Sequence, residues 1–248
     1  MKSWVIKNMK FVIAIDSFKS TMTSKIACET AAEGIKAVFP DSEIVLVPTA
    51  DGGEGTAQAF LSVLGNPRGG DRELIQKTVT GPEFRPVEAE YVILPNKTAV
   101  VEMAAASGLP LVKVKNPEKT TTYGTGELIA DAVKCGCKNI ILGLGGSATN
   151  DGGVGALSVL GVKFLKADGT QITPTGGGLS ELADIDVSGM SEEMKNCRFT
   201  VACDVENTLC GEKGASAVYG PQKGATPEAV KRLDGNLKHF AGVVQKKV

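Results

Sequence analysis

Apolar positions fall into short runs separated by polar, glycine-rich joints, and the spacing within each run predicts an alternation of strands and helices. Phe11-Val-Ile-Ala-Ile15 is a continuous apolar run of strand length. From about Thr23 to Val38 the period becomes helical, with Ile26, Ala27, Thr30, Ala31, Gly34 and Val38 on one face, and Phe39-Pro40-Asp41 ends it. Glu43 to Val47 begins a second strand. A strand, a helix and a strand in that order predict a βαβ unit with parallel pairing and a right-handed crossover. Ala57 to Leu64 reads as a helix closed by Gly65. Between Glu73 and Met103 the pattern alternates, with Val87, Ala89, Tyr91 and Ile93 set against Glu88, Glu90 and Val92. The Pro95-Asn96-Lys97 turn then leads back into Thr98 to Met103, a hairpin.

Further along, a helix runs to about Cys135 with Thr125 as its N-cap, followed by an apolar strand over Asn139–Leu142. A helix over Val154–Leu160 and strands over Val162–Ala167 and Phe199–Cys203 come next. Thr226-Pro227 opens the last helix, a hydroxyl cap followed by proline at the first helical position. Val230, Leu233, Leu237, Phe240 and Val244 give that helix one apolar face. The chain is therefore α/β. The loop-rich stretch Gly65 to Asp71 suggests a join between two units, with a boundary near Lys77: residues 1–77, then 78–248.

Composition narrows the function. A chain of 248 residues with net charge −1 has no basic stripe for nucleic acid, and its apolar runs are too short to span a bilayer. Met1 to Asn8 lacks a signal-peptide core, and Met9 is an alternative start. A soluble, cytoplasmic protein is expected. Six scattered cysteines form no paired CxxC knuckle, and the only histidine is His239, so a zinc site and a Ser-His-Asp triad are both disfavoured.

The chemistry concentrates at predicted strand ends. Gly143-Leu-Gly-Gly-Ser-Ala-Thr-Asn-Asp-Gly-Gly153 follows one strand and precedes a helix. Glycines let a backbone approach an anion and present its N–H groups. Gly143-x-Gly145-x-x-Ala148 fits a dinucleotide fingerprint, which leaves a nicotinamide-dependent oxidoreductase as an alternative. The helix is delayed by Asn150-Asp151-Gly152-Gly153, however, and the ribose-binding acid would have to be Asp168, in a turn. No Walker P-loop is present. Phosphoryl transfer needs a phosphate cradle, a cation and an orienting group. Glycine loops, Lys19 and the carboxylates Asp16, Asp51, Glu54, Asp151 and Asp204 offer all three, and carboxylates suit Mg²⁺.

Six ordered motifs sharpen this reading: Asp16-Ser-Phe-Lys19, Ala50-Asp-Gly-Gly-Glu-Gly-Thr56, Gly124-Thr-Gly-Glu-Leu-Ile129, Gly143–Gly153, Ala202-Cys-Asp-Val205 and Gly220-Pro-Gln-Lys-Gly-Ala225. Together they closely resemble the bacterial class I glycerate kinase family. The resemblance implies ATP- and Mg²⁺-dependent phosphorylation of D-glycerate. It also implies two domains: a parallel, Rossmann- or flavodoxin-like α/β domain interrupted by a second, inserted α/β domain. Residues 1–77 would begin the first, and 78–248 would form the insert, with the last helix returning toward the first. Family members continue beyond the position of Val248, so the first domain is expected to be incomplete and an inactive fragment is a second alternative. Ser20 stands where the family usually has glycine.

The expected roles follow motif position. Gly145, Gly146, Ser147 and Thr149 would contact phosphate, with Asn150 beside them. Asp151 would be the catalytic or Mg²⁺-linked carboxylate, and Lys19 would pair with phosphate or with the glycerate carboxylate. Asp51 and Glu54 would hold Mg²⁺ or face the glycerate hydroxyls. Asp16, Ser17, Gly52, Gly53 and Asp204 complete the expected site.

Overall fold

The computed structural model describes residues 9–18, 21–50, 52–53, 55–63 and 73–247. β1 (Lys10–Ile13), α1 (Ser24–Val38) and β2 (Glu43–Leu46) form the expected unit, the strands pairing in parallel from Lys10↔Glu43 to Ile13↔Leu46. Thr23 caps α1, its hydroxyl accepting from the Ile26 N–H at 3.3 Å.

α2 (Thr56–Val63) is followed by β3 (Glu73–Thr80), β4 (Pro86–Ile93) and β5 (Thr98–Glu102). Then come α3 (Met103–Ser107), α4 (Tyr123–Lys134), β6 (Asn139–Gly143) and α5 (Val154–Val159). The rest is β7 (Lys163–Leu165), β8 (Asp184–Asp186), α6 (Glu192–Lys195), β9 (Arg198–Ala202), α7 (Ala215–Tyr219) and α8 (Pro227–Lys247). Strands β3, β4, β5, β6 and β9 make one sheet in that order, antiparallel as far as β5 and parallel from β5 to β9. β7 and β8 pair separately.

Alternation along β4 and β5 builds two cores. Tyr91, Ile93, Ala99 and Val101 face α4, where Leu128, Ile129 and Ala132 are buried. Val92 and Val100 face the other way, onto Ala57, Phe60 and Leu61 of α2. The period-two pattern is thus satisfied on both faces, as expected of a sheet covered by helices on each side. The join expected at Lys77 falls inside β3, which pairs with β4 residue for residue, and α2 covers a face of the sheet that follows it.

α8 packs on the β7–β8 layer. Its Leu237 and Val243 pack with Val162, Phe164, Leu179 and Leu182, and His239 Nε2 lies 2.6 Å from the Leu182 carbonyl. The apolar stripe was legible, but the unit it covers is the β7–β8 layer, which offers a matching apolar surface. α4 also begins earlier than expected, because the Thr125 hydroxyl lies 2.8 Å from Ser107 Oγ instead of capping. Among the described residues no helix is long and apolar enough to cross a membrane.

Candidate functional site: an anion cradle at the carboxyl edge of the parallel strands

β5, β6 and β9 run the same way, so Glu102, Gly143 and Ala202 stand side by side at one edge. Ligand sites in α/β folds form beyond such edges. The loop containing Gly52 and Gly53 lies across it. The Gly145 N–H donates to the Gly52 carbonyl at 3.1 Å and the Leu144 N–H to the Ala202 carbonyl at 3.4 Å. Glycine is required for this approach: a Cβ on Gly145 would stand 2.6 Å from Gly53 Cα, and one on Gly52 2.6 Å from the Ala202 carbonyl oxygen. The Glu102 carboxylate accepts from the N–H groups of Ala57 at 2.5 Å and Gly55 at 3.2 Å, anchoring the start of α2.

Beyond Gly145 the loop is tied down through its carbonyls. Leu109 N–H donates to the Gly146 carbonyl at 2.9 Å, Thr120 Oγ1 to the Ala148 carbonyl at 2.9 Å, and Ala148 N–H to the Ser107 carbonyl at 2.8 Å. The N–H groups of Gly146, Ser147, Thr149 and Asn150 find no acceptor among the described residues. Thr149 and Asn150 are buried, and a buried donor left unpaired costs about 1–3 kcal/mol. Closely spaced open backbone donors are the arrangement by which loops bind anions.

Asp151 turns the other way. Its Oδ2 accepts from Thr122 N–H (2.8 Å), Thr122 Oγ1 (2.8 Å) and Gly155 N–H (3.3 Å), and its Oδ1 from Gly153 N–H (3.1 Å). Only 1% of Asp151 is exposed. Burial pushes its carboxyl above the usual range, against the pull of these hydrogen bonds. The side chain fastens the start of α4 to the start of α5.

Lys223 sits beneath the cradle, buried in the short helical turn Pro221–Lys223. Its ammonium donates to Ser147 Oγ at 2.8 Å and to the Thr149 carbonyl at 2.6 Å. Burial lowers its pKa to about 8, with the Asp151 charge opposing that fall. Ser216 Oγ donates to Asn150 Oδ1 at 3.2 Å. Lys223 lies inside the Gly220–Ala225 motif but is not among the site residues expected from sequence. A lysine in a loop ordinarily reads as solvated, and only its setting between Pro221 and Gly224 marks it.

The structure thus brings Gly52, Gly53, Gly145, Gly146, Ser147, Thr149, Asn150 and Asp151 together. Asp204 is exposed, two residues past the end of β9. Asp16 and Ser17 follow β1, with Ser17 N–H donating to Asp16 Oδ1 at 2.6 Å. No described hydrogen bond links Asp16 or Ser17 to the cradle. Lys19, Asp51 and Glu54 lie outside the described residues. Among the described residues no three His, Cys, Asp or Glu side chains are grouped to share a metal ion.

An α/β sheet with open backbone donors beyond its parallel strand ends has the arrangement by which loops can receive an anion. The glycerate kinase family profile matches residues 11–248, and the chain belongs to that family. It is 48% identical over 241 residues to glycerate kinase of Bacillus subtilis (strain 168) and 46% identical over 241 residues to glycerate 2-kinase of Escherichia coli (strain K12). Each match covers 96% of this chain and 62% of the relative, so the chain spans less than two thirds of their length. The fold is similar to the crystal structure of a candidate glycerate kinase 2 from Salmonella typhimurium LT2. The TM-score is 0.83 at 43% identity, covering 97% of this chain and 63% of that one.

Proposed function

We propose that this chain carries the phosphoryl-transfer site of a glycerate kinase, acting on D-glycerate with ATP and Mg²⁺. The observation that carries the reading is the open donor set of Gly146, Ser147, Thr149 and Asn150 above a buried lysine. Phosphoryl transfer spreads negative charge over the equatorial oxygens, and fixed N–H donors stabilise that charge without reorganising during reaction. In this reading the four N–H groups and the Ser147 hydroxyl hold phosphate oxygens. Gly145 spends its N–H on Gly52 and shapes the loop, and Asp151 fixes the loop from behind. Lys19 pairs with the phosphate or with the glycerate carboxylate. Asp16, Ser17, Gly52, Gly53 and Asp204 line the approach to the glycerate hydroxyls. Asp51 and Glu54 would hold Mg²⁺, whose charge, when bound, offsets that of the phosphates.

The separate β1–β2 pair supports a two-domain arrangement in which residues 1–77 begin a discontinuous domain, and we place the protein in the cytoplasm. A nicotinamide role is less well supported, because Gly143 and Gly145 pack against Gly52 and Gly53 instead of leaving room for a pyrophosphate. The test is the purified chain with D-glycerate, ATP and Mg²⁺. Glycerate-dependent release of ADP with a phosphoglycerate product is the expected result. ATP binding without turnover would support the inactive-fragment reading, and binding of NAD in preference to ATP would overturn the kinase reading.

A further inference from the structure

Lys223 and Ser147 form a donor relay whose direction is set by chemistry alone. An ammonium has donors and no acceptor, so Ser147 Oγ, 2.8 Å from Lys223 Nζ, must accept. The serine proton therefore points away from Lys223, and among the described residues it meets no acceptor. Ser147 is half-buried, between Gly146 and the buried Thr149, on a loop whose backbone donors are also open. The same ammonium donates to the Thr149 carbonyl at 2.6 Å, and across the trans peptide bond the Asn150 N–H points the opposite way from that carbonyl. A single buried charge thus ties down the Ser147 hydroxyl oxygen and the Thr149 carbonyl together, leaving the Ser147 hydroxyl proton and the N–H groups of Ser147, Thr149 and Asn150 open. A positive charge held beneath a donor also strengthens its bond to an anion, and burial limits the screening that would weaken this effect.

We propose that Lys223 is a positioning residue that orients the Ser147 hydroxyl as a donor to a phosphoryl oxygen of bound ATP. This role rests on the kinase reading above, which sets the Ser147 hydroxyl against phosphate; what is added is that Lys223 fixes the direction of that hydroxyl. It predicts that Lys223 and Ser147 act as one unit. Removing either should cost what removing both costs, because Ser147 without Lys223 loses its fixed direction.

The test is calorimetric titration of the chain and its Ser147→Ala, Lys223→Met, Lys223→Arg and double Ser147→Ala/Lys223→Met variants, with Mg·ATP and separately with D-glycerate. Melting curves accompany each variant. Loss of one charge-assisted hydrogen bond should weaken ATP binding about tenfold in each single variant, and the double variant should bind no more weakly than Lys223→Met. Lys223→Arg should recover part of the loss, and D-glycerate affinity should not change. Additive losses, or a Ser147→Ala variant that binds ATP as tightly as the unaltered chain, would overturn the relay while leaving the kinase reading intact. Absence of ATP binding by the unaltered chain would overturn both. If Lys223→Met does not melt cooperatively, Ser147→Ala and Lys223→Arg still decide the matter.

Discussion

Replacing Asp151 with asparagine turns one acceptor oxygen into a group that can only donate. If the amide nitrogen takes the Oδ2 position it faces Thr122 N–H, Thr122 Oγ1 and Gly155 N–H. In the Oδ1 position it faces only Gly153 N–H at 3.1 Å, so that rotamer is the less costly. Even there a donor is stranded, worth about 1–3 kcal/mol. The substitution also removes the negative charge that opposes the burial of Lys223. For a chain of this length a loss of about 1–3 kcal/mol corresponds to a fall in melting temperature of about 5 °C. The assay is thermal and urea denaturation followed by circular dichroism at pH 7, beside ADP release. From sequence alone Asp151 is expected to be the catalytic or Mg²⁺-linked carboxylate. The hydrogen bonds it accepts from Thr122, Gly153 and Gly155 lead us to propose that its loss is felt in stability. A variant melting within about 2 °C of the unaltered chain while losing turnover by orders of magnitude would refute the internal role of Asp151.

Two further outcomes follow from the same contacts. Gly145→Ala places a methyl 2.6 Å from Gly53 Cα, a backbone atom that cannot swing aside, so the two loops must part. The expected loss is about 1–3 kcal/mol in urea denaturation together with weaker ATP binding, and unchanged values for both would contradict the packing described. Lys223 has its pKa lowered from 10.5 to about 8, so between those values the unfolded chain holds a proton that the folded one has released. Folding stability due to Lys223 should therefore rise with pH across that window, by about 3 kcal/mol, and be lost again as pH falls through 8. The comparison is with Lys223→Met at each pH, because the buried thiol of Cys137 and the half-buried thiol of Cys197, with raised pKa values, pull the opposite way.

Local pattern made much of the fold legible. Thr23 before an amphipathic run marked the start of α1, alternation marked β4, and the Pro95-Asn96-Lys97 turn marked its hairpin to β5. The glycine loop could be picked out because glycine and hydroxyl residues at a strand end have few other uses. Direction and partnership could not be read. Asp151 is held by Thr122, 29 residues earlier, and Ser147 by Lys223, 76 residues later, and no spacing rule links such positions. Thr125 matched the preferences of a cap, but tertiary contact with Ser107 claimed its hydroxyl. The face of α8 was evident from its period, whereas the layer it covers depends on the apolar side chains of β7 and the turn at Leu179, which are remote in sequence.

The most direct measurement of the site is the backbone amide spectrum of the isotopically labelled chain during titration with Mg·ATP. The largest shifts are predicted at Gly146, Ser147, Thr149 and Asn150, whose N–H groups have no described acceptor, with Gly145 and Ala148 moving less because theirs are already donated. Saturable shifts confined to other segments, with these four amides unmoved, would contradict an anion cradle at the end of β6.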